Sequence, residues 1–200
     1  MDDIIVFDDI VSTKNQNILE DFFTNHTKYK YGNNIEHFED GSYFPQYVFV
    51  REKLSDYPPE INDIISDIET QISKKLNIKS IGNYRTKANK LLSTDTPTDD
   101  KRKGMHIDRW VEHYSLIYYI NNSDGDTYFY RFKNFDEDMP RWMKIVQNSD
   151  FDKFDFIKSI PPKKGRIVLF DGMLPHHSDY PSKGERYVLN FNLFEKKNIL

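Results

Sequence analysis

His106 and Asp108, in the stretch MHIDRW, are the two side chains best placed to do chemistry together. Successive side chains of a strand point to opposite faces, so in a strand this pair sets an imidazole and a carboxylate on one face, a pleat apart. Two ligands for one metal ion would then already converge. The spacing alone is a weak signal. With six histidines in an aspartate-rich chain, a His-x-Asp arises by chance about half the time, and His177-Ser178-Asp179 supplies another copy. A surface ion pair is the ordinary alternative. What would lift the pair above it is a third ligand from a distant strand, because two imidazoles and one carboxylate on one face suit non-haem iron(II) and leave positions open. The candidates are His176 and His177, at the end of GRIVLFDGMLPHHSDYP. There an apolar strand runs out into a Pro-flanked turn, and adjacent strand residues face opposite ways, so one of the two points inward.

Further on, the strand RYVLNFNLF sets Tyr187, Leu189, Phe191 and Leu193 on one face and Arg186, Val188, Asn190 and Asn192 on the other. An arginine turned inward beside two asparagines needs an anionic partner, since a buried unpaired charge is costly. A guanidinium holds a planar carboxylate with two parallel hydrogen bonds, which points to an organic acid as ligand or cosubstrate.

These side chains need a frame to hold them. Ile4 to Val11 alternates weakly and predicts a short strand; Asn15 to Phe23 spaces Ile18, Leu19, Phe22 and Phe23 as a helix does. Tyr43 to Glu52 is rich in β-branched and aromatic residues and predicts a strand. After Pro58 and Pro59, the residues Ile61, Ile64, Ile65, Ile68, Ile72 and Leu76 recur at helical steps, an apolar stripe that must pack on a sheet. Beyond Ile78 come strand-like runs divided by turns: IGNYRTKAN, MHIDRW, HYSLIYYINN, DTYFYRF, GRIVLFDG and GERYVLNFNLF. Leu92 to Gly104 and Asn134 to Asp155 are expected to be long loops.

Composition narrows the classes. Two hundred residues suit one domain, with 1–80 as a helix-rich support and 81–200 as a β core carrying the site. A net charge of -4 with signs interspersed offers no field for a polyanion, so nucleic acid is not expected as a partner. The absence of cysteine removes disulfides and thiolate chemistry and fits a cytoplasmic setting. No apolar run is long enough for a membrane-spanning helix, and the acidic N-terminus does not read as a signal peptide.

With H-x-D, SLIYYIN, GDT, P-H-H-S-x-x-P and R-Y-x-L-x-F in this order, the sequence resembles the iron(II)- and 2-oxoglutarate-dependent dioxygenases, in particular those of prolyl 4-hydroxylase type. The resemblance covers Gly82 to Phe194. It implies a mainly β double-stranded β-helix (jelly-roll), with the helices packed on one outer sheet face. It implies His106, Asp108 and His177 as catalytic iron ligands, Arg186 as the grip on the far carboxylate of 2-oxoglutarate and Tyr119 as its assistant, with O2 as the second cosubstrate. His177 is preferred over His176 because Arg186 then follows the distal histidine by nine residues, as in relatives. The implied reaction hydroxylates an unactivated carbon, foremost a prolyl residue in a protein or peptide, and releases succinate and CO2. A free amino acid or other small molecule as substrate, and a non-catalytic jelly-roll binding module, stay open.

Overall fold

The computed structural model describes residues 4–31, 46–51, 57–77, 81–93, 104–108, 112–133 and 151–195. Among these residues ten strands form two sheets. The larger is seven-stranded and contains β1 (Ile4–Phe7), β2 (Lys30–Tyr31), β3 (Gln46–Arg51), β4 (Ile81–Leu92), β5 (Tyr114–Tyr119), β8 (Ile167–Asp171) and β10 (Glu185–Glu195), in the order β1-β8-β5-β10-β4-β3-β2. The smaller contains β6 (Thr127–Phe132), β7 (Phe154–Ile160) and β9 (His176–Ser178), in the order β7-β6-β9, and an isolated antiparallel bridge between His106 and His176 extends its edge. Every strand pairing among the described residues is antiparallel.

Alternation along the strands sorts the larger sheet into two faces. Leu116, Tyr118, Ile120, Leu169, Leu189, Phe191 and Leu193 point outward, where two helices cover them. Helix α1 (Thr13–Asp21) begins at Ser12, whose Oγ accepts the Asn15 N–H at 3.3 Å, and runs on into a π-helical turn, Phe22–His26. Helix α2 (Pro59–Leu76) has proline in its first turn and Glu60 near its N-terminus, carries Lys74 and Lys75 in its last turn, and ends on Asn77 in the left-handed conformation, φ 55°. Its Ile61, Ile64, Ile65, Ile68 and Ile72 are all buried, the stripe expected from the sequence. The opposite face, with Ile117, Tyr119, Val168, Phe170 and Val188, meets Phe129 and Ile160 of the smaller sheet in a second core.

Two local expectations change. The described residues of MHIDRW, 105–108, supply the His106 bridge to the smaller sheet, with Asp108 in a bend, so the pair converges through a turn instead of along a pleat. Phe154 and Asp155, expected to close a loop, open strand β7. The strands expected within Ile4 to Val11 and Tyr43 to Glu52 form as β1 and β3 and sit at opposite sides of the larger sheet, β1 at one edge and β3, with β2, at the other. Most of the two expected long loops, residues 94–103 and 134–150, lies outside the described residues. No described helix is long and apolar enough to cross a membrane.

Candidate functional site

His106, Asp108 and His176 come together at the mouth of the sandwich, where one ligand atom from each lies within 4.8 Å of the others. The backbone sets both imidazoles. His106 Nδ1 lies 2.7 Å from the Gly104 carbonyl and His176 Nδ1 lies 3.0 Å from the Leu174 carbonyl. A carbonyl only accepts, so each Nδ1 carries the proton and each Nε2 keeps a free lone pair. Asp108 is fixed at one oxygen: its Oδ2 accepts from Ser115 Oγ at 2.8 Å and from Asn192 Nδ2 at 3.0 Å. Oδ1 is left facing His106 Nε2 at 3.7 Å. Because Ser115 Oγ gives its only proton to Asp108, it accepts at 3.2 Å from His113 Nε2. Gly172 makes room for that histidine, since a Cβ there would lie 2.2 Å from the His113 ring.

Electrostatics matches this geometry. Burial, aided by the neighbouring His106 ring, pushes the His176 imidazole down to about 4, so His176 is neutral at ordinary pH. Burial works against ionisation of Asp108, but the two facing imidazoles and the hydrogen bond from Ser115 outweigh it and hold the carboxyl well below its usual range. The site opens on one side, through the His106 side chain, which is 42% exposed.

It is His176, not His177, that the structure brings to His106 and Asp108. In the β6–β9 register His176 stands opposite Phe129 and His177 opposite Tyr128, and opposite residues of an antiparallel pair share a face. Phe129 is in the inner core, so His176 points inward. His177 lies on the far face, stacked on Tyr128 at 4.9 Å between centroids, with its Nε2 3.0 Å from the Tyr130 hydroxyl. The nine-residue spacing to Arg186 misleads because it carries no information about which neighbour β6 turns inward.

Arg186 is where its strand pattern puts it, on the inner face and 1% exposed. Its Nη2 donates to Thr127 Oγ1 at 2.8 Å, and its guanidinium lies 5.4 Å from the centroid of the Tyr119 ring. The Tyr119 hydroxyl is 2.7 Å from the same Thr127 oxygen. Arg186 Nε is buried without a hydrogen-bond partner, and among the described residues no carboxylate forms an ion pair with this guanidinium. A buried cation with a free donor edge is built to receive an anion. Thr127 and Ser115 are missed by the sequence reading, which sets Asn192 on the inward face with Arg186 without giving it this role; inward parity with Tyr119 is the available signal for Ser115, whereas Thr127 has to be placed by β6.

The two facing antiparallel sheets, with helices on the outer face of the larger, form a double-stranded β-helix (jelly-roll). Solved structures with this fold align over nearly the whole chain. A prolyl hydroxylase from Trichoplax adhaerens, in complex with a hypoxia-inducible-factor peptide, aligns over 98% of this chain and 85% of its own at TM-score 0.61 and 13% identity. A 2-oxoglutarate–Fe(II) oxygenase family protein from Burkholderia pseudomallei aligns over 98% and 86% at TM-score 0.64 and 10% identity. HygX from Streptomyces hygroscopicus, solved with nickel, 2-oxoglutarate and hygromycin B, aligns over 97% and 83% at TM-score 0.59 and 10% identity. At such identities the likeness is one of fold. No protein-family model matches the sequence, and no curated protein sequence is significantly similar to it.

Proposed function

We propose that this protein is an iron(II)- and 2-oxoglutarate-dependent dioxygenase, with His106, Asp108 and His176 as the metal ligands and Arg186 as the cosubstrate anchor. The observation that carries the reading is the pairing of two features on one inner wall: a His/Asp/His set within 4.8 Å and a buried guanidinium with an unpartnered Nε. The donor set fits ferrous iron, since two imidazoles and one carboxylate suit this ion and leave further positions for oxygen ligands. When bound, the iron supplies the redox chemistry that couples O2 and the oxidative decarboxylation of 2-oxoglutarate to hydroxylation of a carbon, with succinate and CO2 as co-products.

The protein's own part is orientation and charge. The Gly104 and Leu174 carbonyls hold both imidazoles in the ligating tautomer, while Ser115 and Asn192 fix the Asp108 carboxylate. Arg186, with Thr127, grips the far carboxylate of 2-oxoglutarate, and the Tyr119 ring and hydroxyl pack against that grip. The aromatic wall of Phe129 and Phe170 shields His176 from water. For the substrate we propose a prolyl residue in a protein or peptide, an analogy supported by fold neighbours described as prolyl hydroxylases, including those from Trichoplax adhaerens and Pseudomonas putida.

The test is anaerobic addition of Fe(II) and 2-oxoglutarate, read first as the weak visible charge-transfer band of the chelate and then, with O2 and candidate peptides, as succinate and a mass gain of one oxygen atom. The band should vanish in His106→Ala. In Arg186→Met, 2-oxoglutarate affinity should fall by roughly a hundred-fold, the cost of losing a buried charged hydrogen-bond partner. Absence of any band or of 2-oxoglutarate turnover in the wild-type protein would rule the oxygenase out.

A further inference from the structure

The inner face of β4 carries charges that neither the metal ligands nor the cosubstrate anchor uses. In the β10–β4 register Arg85 stands opposite Asn192, Lys87 opposite Asn190, Asn89 opposite Val188 and Leu91 opposite Arg186. The alternate positions face the helices: Ala88 lies in the outer core, and Thr86 accepts from Asn83, whose amide also donates to Glu69 of α2. Arg85, Lys87 and Asn89 therefore line the interior with Asn190, Asn192 and Arg186. A register shift between Asn192 and Leu193 falls beside Arg85, and irregularities of this kind re-aim side chains next to sites.

Among the described residues neither Arg85 nor Lys87 forms an ion pair. Arg85 Nε is sealed from solvent with no acceptor, and Oδ1 of Asn89 and of Asn190 are likewise buried and unpartnered. Asp108 acts on Lys87 through its charge, but its oxygens are committed to Ser115, Asn192 and the imidazoles. Burial and the neighbouring Arg85 push the Lys87 ammonium down to about 8, which leaves it charged at neutral pH. Two like charges side by side on a half-buried wall weaken the fold unless an anion joins them.

Position says which anion. Asp108 is bonded to Asn192 and Ser115, which face each other across β10 and β5 in the same row as Arg85. Arg186 lies six residues back along β10. A dicarboxylate gripped at Arg186 with its other end at Asp108 occupies the wall between them. Arg85 stands at the Asp108 end of that span, one strand to the side on β4, with Lys87 the next inward residue toward Arg186. Resting on the oxygenase reading, we infer that Arg85 and Lys87 form an oxyanion subsite for the substrate, which carries a carboxylate or phosphate group close to the carbon that reacts. In a peptide this is an acidic side chain or phosphorylated residue beside the target.

The experiment uses the Co(II)-loaded protein with saturating 2-oxoglutarate, titrated separately with acetate and with inorganic phosphate by calorimetry and by the Co(II) visible spectrum. The expected result is one oxyanion per chain, bound about ten-fold or more weakly in Arg85→Met and in Lys87→Met, retained in Arg85→Lys, with 2-oxoglutarate affinity unchanged in all three. The better-bound probe tells carboxylate from phosphate. Melting temperatures should stay level or rise in the methionine variants, because unpaired cations leave the wall; a structural role for these cations predicts a fall. Failure of the wild-type protein to bind either probe overturns the subsite whatever the variants do. A ten-fold loss of 2-oxoglutarate affinity in Arg85→Met or Lys87→Met also overturns it, by assigning the cations to the cosubstrate. If Co(II) and 2-oxoglutarate do not bind at all, the oxygenase reading fails, and a substrate role for the cations fails with it even where phosphate still binds.

Discussion

His176 and His177 are chemically identical neighbours with opposite fates, and the difference is a matter of which face of β9 each occupies. His176 sits between the Phe129 and Phe170 rings, with its Nδ1 tied to a carbonyl and its Nε2 aimed at Asp108 and His106. His177 is stacked between tyrosines on the other side. Replacing His176 by alanine is expected to lower Co(II) or Fe(II) affinity by about a hundred-fold or more, while His177→Ala should leave it within a few-fold; equilibrium dialysis of the two variants decides, and the reverse ranking would sink the His176 assignment. Lys87 gives a second residue-scale expectation. Its folded value of about 8 lies below its ordinary 10.5, so at pH 7 the folded state bears the cost of a buried ammonium. That cost is relieved as pH rises from about 8 to about 10.5, where the unfolded chain still holds the proton. Lys87→Met should thus be more stable than wild type at pH 7 by on the order of 2 kcal/mol, after a discount for residual solvent contact, and the gap should close toward pH 10.5. Urea unfolding of both proteins at pH 7, 9 and 10.5 measures it; a gap independent of pH would mean that the ammonium is not responsible.

At the scale of elements, α2 holds the larger sheet in shape from outside while the site is built on its inside. Ile65, Ile68 and Ile72 are at most 1% exposed, and they cover the outward residues of strands whose inward residues are Ser115, Tyr119, Arg186 and Asn192. Ile68→Ala should cost about 3 kcal/mol, the transfer of the lost carbons plus the cavity left behind, and should show as a lower urea midpoint with an unchanged slope. The same helix was readable from its sequence because proline, the spaced isoleucines and the terminal lysines all agree on one structure. Strands β5, β8 and β10 were readable for a similar reason: their two-residue alternation gives Tyr118 to the helices and Tyr119 and Arg186 to the interior. Less was legible where the structure comes from pairing and not from pattern. His106 is held by a single bridge to His176, which has no period to detect. Strand β7, FDFIKSI, has an irregular burial pattern and a register shift opposite Phe129 and Tyr130, so it looks like the end of a loop. The choice between His176 and His177 depends on β6, a neighbour in space that sequence spacing does not reveal.

Across the whole molecule, the N-terminal segment is tied to the β core by charges as well as by packing. The turn before β8 supplies Lys163, Lys164 and Arg166. Arg166 Nε and Nη2 donate to the two Asp8 oxygens at 2.7 and 3.0 Å, and Lys163 Nζ lies 3.1 Å from Oδ2. Lys164 pairs with Glu20 of α1 and donates to Asn17 at 2.7 Å. These contacts join residues some 150 positions apart, and they hold β1 and α1 against the strands that carry the site. The Arg166 hydrogen bonds, helped by Lys163, bring the Asp8 carboxyl down from 3.8 to about 2. A carboxyl depressed in the folded state contributes its full stability above its unfolded value and loses it as pH falls toward the folded one. The window is therefore about pH 4 down to about pH 2. The shift would convert to about 2.4 kcal/mol for a sealed pair, but the Asp8 side chain is 31% exposed, and screening reduces this to about 1 kcal/mol. Asp8→Asn should accordingly destabilise the protein by about 1 kcal/mol at pH 7 and by roughly half as much at pH 3, with the pH 7 difference shrinking further in molar salt. Guanidine-free urea titrations at pH 7, 5 and 3, with and without sodium chloride, give the comparison. An undiminished penalty at pH 3 would show that the substituted amide disturbs packing, and that the charge pairing of Asp8 with Arg166 is not what fastens the N-terminal segment to the core.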